Sequence, residues 1–233
     1  MKIISVHRGF GGDHSSTSYQ FLAVDKPLSE KARRDVSSLS RRANPTPRHV
    51  SFIYHADGYE IPGGWEKLMR DYYDVMYSES YGWWIFAMAF EASKQQQEAV
   101  QQYAFSGLDD LGLTVSCTGR RVTVAVHCHA DNEALYQLDV GSEEEAYYID
   151  EADEEEDDED EPDSDSFEPE GGLLGLLTRV RQQLIDGDYR ALYAVWEVYG
   201  GEADEDEEAP PRPPARKQGE NVVDEFRALL ATE

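Results

Sequence analysis

One run of thirty residues constrains this chain more than any other feature. Residues 141–170 hold 18 Asp and Glu and no Lys or Arg. Carboxylates at that density repel one another, and few apolar side chains remain to be buried, so the run cannot build a core of its own. It reads as an extended acidic linker that divides a larger N-terminal part from a smaller C-terminal one. The charge is local. The whole chain of 233 residues carries a formal charge of −27, of which −18 lies in this run, −3 in residues 1–140 and −6 in residues 171–233. Outside the linker the protein is only mildly acidic, and 40% of the whole chain is hydrophobic, enough for a packed core. Direct nucleic-acid binding is not expected of such a balance, because neutralising phosphates needs clustered Lys and Arg.

On the N-terminal side the pattern alternates between short strands and helices. Residues 2–7 and 19–25 read as strands, with a Gly- and Ser-rich loop over 9–18 between them. Ser29 caps a helix predicted over 30–42, whose Ala32, Val36, Leu39 and Ala43 form one stripe. Residues 50–55 read as the next strand. Trp65, Leu68, Met69, Tyr72 and Met76 recur at helical spacing and predict a helix that Gly82 breaks. Trp83–Phe90 is apolar without alternation, as in a strand buried on both faces. Residues 92–104 form a polar helix. Leu113–Cys117 and Val122–His129 form a hairpin about Thr118-Gly119-Arg120. The class is α+β: a mostly antiparallel sheet with helices on one face, a variant of the ferredoxin-like arrangement.

Beyond the linker, Leu173, Leu174, Leu177, Val180, Leu184 and Ile185 make one apolar helix face, and Ala191, Leu192, Val195, Trp196 and Tyr199 a second. Gly187 and Asp188 separate them, which gives an αα-hairpin. It is too small to fold alone and is expected to dock on the first unit. The organisation is therefore an α+β domain (1–140), the acidic disordered linker (141–170), the docked hairpin (171–201), an acidic Pro-rich linker (202–219) and a short helix (220–233). Met1–Phe10 lacks the apolar core of a signal peptide. No apolar run approaches the ~20 residues that span a bilayer. The two cysteines, Cys117 and Cys128, are too few for a disulfide framework. A cytoplasmic protein with no membrane attachment is expected.

Three stretches resemble a known pattern. Tyr19-Gln-Phe-Leu-Ala-Val-Asp-Lys-Pro-Leu28 is similar to a Tyr-x-Phe-x-Ala-Val/Ile-Asp-Arg/Lys-Pro-Leu signature, and Leu68-Met-Arg-Asp-Tyr-Tyr-Asp74 to a Leu-Met-x-x-Tyr-Phe/Tyr-Asp stretch. Gly187-Asp-Tyr-Arg-Ala-Leu-Tyr193 is similar to the Gly-Asp-x-Arg-x-Leu-Tyr element that follows an acidic run. Together they resemble a family of uncharacterised bacterial proteins over most of residues 19–200. The resemblance implies no catalytic motif. It implies a partner-binding role, because such proteins are encoded near SWIM zinc-finger proteins or helicase-like ATPases. Residues 1–18 stand outside the pattern, and its Asn-Trp-Gly element near residue 82 is missing here.

Candidate sites follow from residue chemistry. His127 and His129 lie at i and i+2 on a strand and so share a face; with His14 and Asp131 they could hold a divalent metal. A solvated strand face bearing two histidines is the competing reading. Asp13-His14-Ser15 contains triad residue types, but adjacent side chains cannot converge as a triad requires. Lys31, Arg33, Arg34, Arg41, Arg42 and Arg48 concentrate positive charge within eighteen residues. They could dock the acidic run, or meet a basic-patch ligand such as nucleic acid. Trp65 and Tyr73 belong to an aromatic set suited to a protein partner, since Trp and Tyr dominate binding hot spots. The expected function is that of a non-catalytic accessory protein of a bacterial cytoplasmic multi-protein system, needing no cofactor. It would bind a protein partner, which could be basic or nucleic-acid-associated, through an aromatic and acidic surface, with Arg33, Arg34, Arg41, Arg42, Trp65 and Tyr73 as candidate partner-binding residues. The alternatives are a metal-dependent hydrolase or nuclease-like enzyme using His127 and His129, and a nucleic-acid-associated module using the basic helix 31–48.

Overall fold

The computed structural model describes residues 17–41, 43–54, 61–140, 171–202 and 208–230. The strand expected over 2–7, the acidic run 141–170, and His14 and Arg42 lie outside the described residues. The chain runs β1 (Thr17–Leu22), α1 (Glu30–Ser37), β2 (His49–Tyr54), α2 (Trp65–Asp71), β3 (Val75–Ser80), β4 (Trp83–Glu91), α3 (Lys94–Gln101), β5 (Phe105–Ser106), β6 (Gly112–Thr118), β7 (Arg121–His129) and α4 (Asn132–Val140). Past the acidic run come α5 (Gly172–Ile185), α6 (Arg190–Tyr199) and α7 (Glu220–Leu229). Among the described residues no helix is long and apolar enough to cross a membrane.

The fold is α+β. Seven strands form one sheet in the order β2-β1-β3-β4-β7-β6-β5, and every neighbouring pair is antiparallel. Of the ferredoxin-like pattern the sheet keeps a split βαβ unit: β2 and β3 are joined by α2 and run parallel, with β1 between them. It departs from that pattern in its length and in its covering. Helices lie on both faces, not one. Trp84, Phe86, Met88 and Phe90 of β4 and Val122, Val124, Val126 and Cys128 of β7 face a core shared with α3 to α7. Ala87 and Ala89 of β4 and Ala125 of β7 face a second core under α1 and α2, with Phe21, Phe52, Met69 and Tyr73. The two faces differ in side-chain size: large residues of β4 and β7 fill the first core, and alanines of the same strands face the second.

The helix expected through Met76 ends at Asp71, and the residues after it form β3. Tertiary bonds override the helical spacing here. The Asp74 N–H donates to the Leu22 carbonyl, and the Ala89 N–H donates to that of Asp74, which commits the chain to the sheet. Met76 then fills the second core beside Phe21, so one apolar residue satisfies both periods. The αα-hairpin packs on the sheet: Leu176, Leu177, Val180 and Leu184 of α5 and Leu192 and Val195 of α6 belong to the first core. Gly187 takes the left-handed conformation (φ 73°) that the tight connection requires. Phe226 of α7 closes that core edge-on against Phe86, with ring centroids 6.3 Å apart.

Candidate functional site

The three central strands end differently at their two extremities. At the Val75 end, four charged groups converge. Asp74 is 5% exposed, and its Oδ2 accepts the backbone N–H groups of Val24 (2.8 Å) and Asp25 (2.9 Å). Its Oδ1 accepts from Arg121 at 2.9 Å and lies 3.7 Å from Arg181. Arg121 reaches it from the second face and also donates to the carbonyls of Met69 (2.8 Å) and Tyr73 (2.5 Å), capping α2 with a cation where the helix dipole is negative. Arg181 reaches it from the first face, donating to the Ala89 carbonyl at 2.6 Å and to Asp25 at 2.5 Å. These groups bond one another and the backbone, so this end is a structural staple. Sequence reading did not single out Arg181 or Asp74 as partners. The signal lay in the resemblance: Asp25 lies within one of its stretches and Asp74 closes another.

The opposite end is open. Tyr81 and Gly82 both have positive φ (53° and 86°), which makes a two-residue hairpin turn matched to the sheet twist. The turn projects aromatic rings outward: Tyr81 is 49% exposed and Trp83 41%. The Trp83 ring packs at 4.4 Å from that of His129, its register partner on β7, and His129 Nδ1 lies 3.2 Å from the Gly82 carbonyl. Beside them on the same sheet face, half-buried His127 pairs with Ile85 and Gly112, with its Nε2 3.3 Å from Thr114 Oγ1. Burial lowers the His127 pKa, and the negative charges of Asp110 and Glu66 pull against that shift. Burial thus favours the neutral His127 ring, which can accept one hydrogen bond and donate another.

Of the candidate metal residues, His127, His129 and Asp131 lie among the described residues and His14 does not. Among the described residues no group of three His, Cys, Asp or Glu is placed to hold a metal ion. His127 and His129 each meet a neighbour in the fold, and Asp131 caps α4, its Oδ1 accepting the Ala134 N–H at 2.8 Å. Cys128 is buried in the first core, where burial pushes its thiol up. The partner-binding candidates scatter as well. Tyr73, expected at a binding surface, is fully buried and packs at 5.3 Å from Phe21, so it serves the core. Its position under α2, set by the strand that follows, takes it off the surface. Trp65 is half-buried at the start of α2, Arg33 is half-buried, and Arg34 and Arg41 are exposed. Arg48 turns inward to donate to the carbonyls of Ala23 and Val24 at 3.0 and 2.8 Å, so part of the expected basic patch supports the fold. Tyr81 and Trp83 are among the rings that reach solvent, although Trp83 opens the apolar run expected to be buried on both faces.

Comparison of the chain with protein-family models, with curated proteins and with solved structures finds no match.

Proposed function

We propose that this protein is a non-catalytic interaction module that binds a protein partner through the open end of its sheet, with Trp83 as the anchor. The observation that carries this reading is the pair of aromatic rings held outward by a rigid turn, Trp83 seated on His129 and Tyr81 beside it. Rings fixed before binding lose little side-chain entropy on docking, and Trp and Tyr supply much of the energy of interface hot spots. Glu66 and Asp110 near His127 give this surface its acidic character, which suits a partner with a basic or mixed rim. The two unpaired cysteines support a reducing cytoplasmic setting, and a place as the accessory subunit of a bacterial multi-protein system is part of the same proposal.

The test is native purification of the tagged protein beside Trp83→Ala and Tyr81→Ala, with quantitative mass spectrometry of bound proteins and of metal. The reading expects one stoichiometric protein partner whose recovery falls by about tenfold or more in Trp83→Ala, at unchanged far-UV circular dichroism. Equal recovery by the variant overturns it. A stoichiometric transition metal that is lost in His127→Ala/His129→Ala overturns it in favour of a metal-dependent enzyme.

A further inference from the structure

A second surface lies between α6 and α7. Pro210, Pro211, Pro213 and Pro214 fall within five positions. Each proline holds φ near −65°, and each residue before a proline is kept out of the helical region, so 209–214 is confined to the left-handed polyproline helix with three residues per turn. Burial follows that period. Pro210 is buried and Pro213 half-buried, while Pro211, Pro214, Arg212, Arg216 and Lys217 are exposed. The segment expected to be a free linker is, over its second half, a docked strap.

The strap is held almost wholly through its carbonyls. Tyr103 Oη donates to the Pro211 carbonyl at 2.8 Å. Arg190 donates to the carbonyls of Arg216 and Gln218, the latter at 2.6 Å, and Gln183 Nε2 donates to that of Gly219 at 2.8 Å. Burial, with the charges of Tyr189, Tyr193 and Asp188 adding to it, pushes the Tyr103 phenol up to about 12, so it remains a donor. Asp188 clamps Arg190 from below at 2.7 and 2.9 Å. Arg212 lies over the Tyr193 ring, 6.0 Å from its centroid. These contacts leave the edge that carries Pro211 and Pro214 facing solvent, with Arg216 two residues beyond.

We propose that this edge is a preformed docking ligand for a partner protein whose groove is lined by aromatic rings and rimmed by carboxylates. Such grooves read two prolines three apart on one edge of a polyproline helix and take a basic side chain at one end. Pro211, Pro214 and Arg216 supply that set as Pro-x-x-Pro-x-Arg. Holding the strap from behind by its carbonyls removes in advance the ordering cost that a free peptide meets on binding. This surface is separate from the Trp83 end and does not depend on it.

The probe is an isolated SH3 domain selective for Pro-x-x-Pro-x-Arg peptides, titrated into the full-length protein and followed by fluorescence anisotropy. The wild type is expected to bind saturably. Pro211→Ala/Pro214→Ala is expected to weaken binding by about tenfold or more, and Arg216→Glu by a similar factor. Neither variant removes an inward-facing side chain, so both are expected to keep the wild-type melting temperature. Equal affinity for wild type and double variant overturns the proposal, as does absence of binding. Tyr103→Phe, which frees the strap's central carbonyl, separates a presented ligand from a hidden one. Unchanged or weaker binding agrees with preformation, whereas an affinity that rises about tenfold shows that docking hides the ligand edge and overturns it.

Discussion

At the Val75 end of the central strands, Asp74, Arg121, Arg181 and Asp25 bond one another and the ends of five chain segments. At the Ser80 end, Tyr81 and Trp83 are exposed and His127 lies half-buried against Thr114. The first end brings charge indoors and neutralises it in place. The second leaves costly apolar surface outside. Both carry a free-energy cost, but only the first recovers it within the molecule. Surface whose exposure the fold does not offset is where a binding partner would add the most, and this contrast is the reason for proposing interaction at the open end.

The largest effect is expected from breaking the closed end. Arg181 is 3% exposed and crosses from α5 to the strand ends. Arg181→Ala leaves Asp74 with its charge buried and one cation fewer, and strips the Ala89 carbonyl of a donor. We expect a loss of about 3–5 kcal/mol in urea denaturation, typical of removing one partner from a buried pair. The hairpin would loosen on the sheet, since Arg181 is its charged anchor there. A loss below about 1 kcal/mol would mean that apolar packing alone holds α5, and the closed end would no longer differ from the open one in kind.

A smaller effect of opposite sign tests the same end from the second face. The Tyr73 backbone carbonyl accepts from Arg121, yet the Tyr73 hydroxyl is buried with no hydrogen-bond partner. Burial also pushes the phenol pKa up. A buried unpaired donor costs about 1–3 kcal/mol. Tyr73→Phe removes the hydroxyl and keeps the ring on Phe21, so a gain of about 1 kcal/mol is expected, a rise in Tm of about 2–4 °C by calorimetry. A fall in Tm would show that the hydroxyl has a bonding role in the folded protein.

The sequence showed one of these ends better than the other. Strands β4, β6 and β7 and the helices α5 to α7 were legible because each carries an unmixed apolar period. The two faces of β4 were also legible as buried, but not the difference between them. Large residues at 84, 86, 88 and 90 enter one core and alanines at 87 and 89 the other, and which helices cover each is a property of pairs of elements rather than of a window. Strand β3 was hidden because Met76 fits helical spacing as well as it fits the sheet. Asp74 and Arg181, 107 positions apart in the chain, meet only when the sheet closes, so no local pattern announces them. The histidines were visible as a pair on one face, and they do share it. What could not be read was that His129 supports Trp83, because the aromatic contact runs between strands.

The smallest expected effect sharpens the open end through His127. Burial lowers its pKa in the folded protein below the ordinary 6.5, in spite of the opposing pull of Asp110 and Glu66. Above pH 6.5 the ring is neutral in both the folded and the unfolded chain, and its contribution to stability is fully present. As pH falls through 6.5 the unfolded chain takes up the proton first, so stability declines, and the decline stops once pH passes the folded value. His127→Gln removes that uptake. The variant is expected to lose less stability than the wild type between pH 7.5 and pH 5, measured as the shift in urea midpoint at each pH. Glu66→Gln/Asp110→Asn should act in the opposite sense, because deleting the two negative charges lowers the folded pKa further and deepens the wild-type decline. If the double variant flattens the profile, the two carboxylates do not act on His127, and the open end is less acidic than its sequence makes it. If both shifts have the expected signs, burial opposes protonation of His127 while Asp110 and Glu66 favour it, and under the proposed function partner binding at this end should strengthen as pH rises through the same interval.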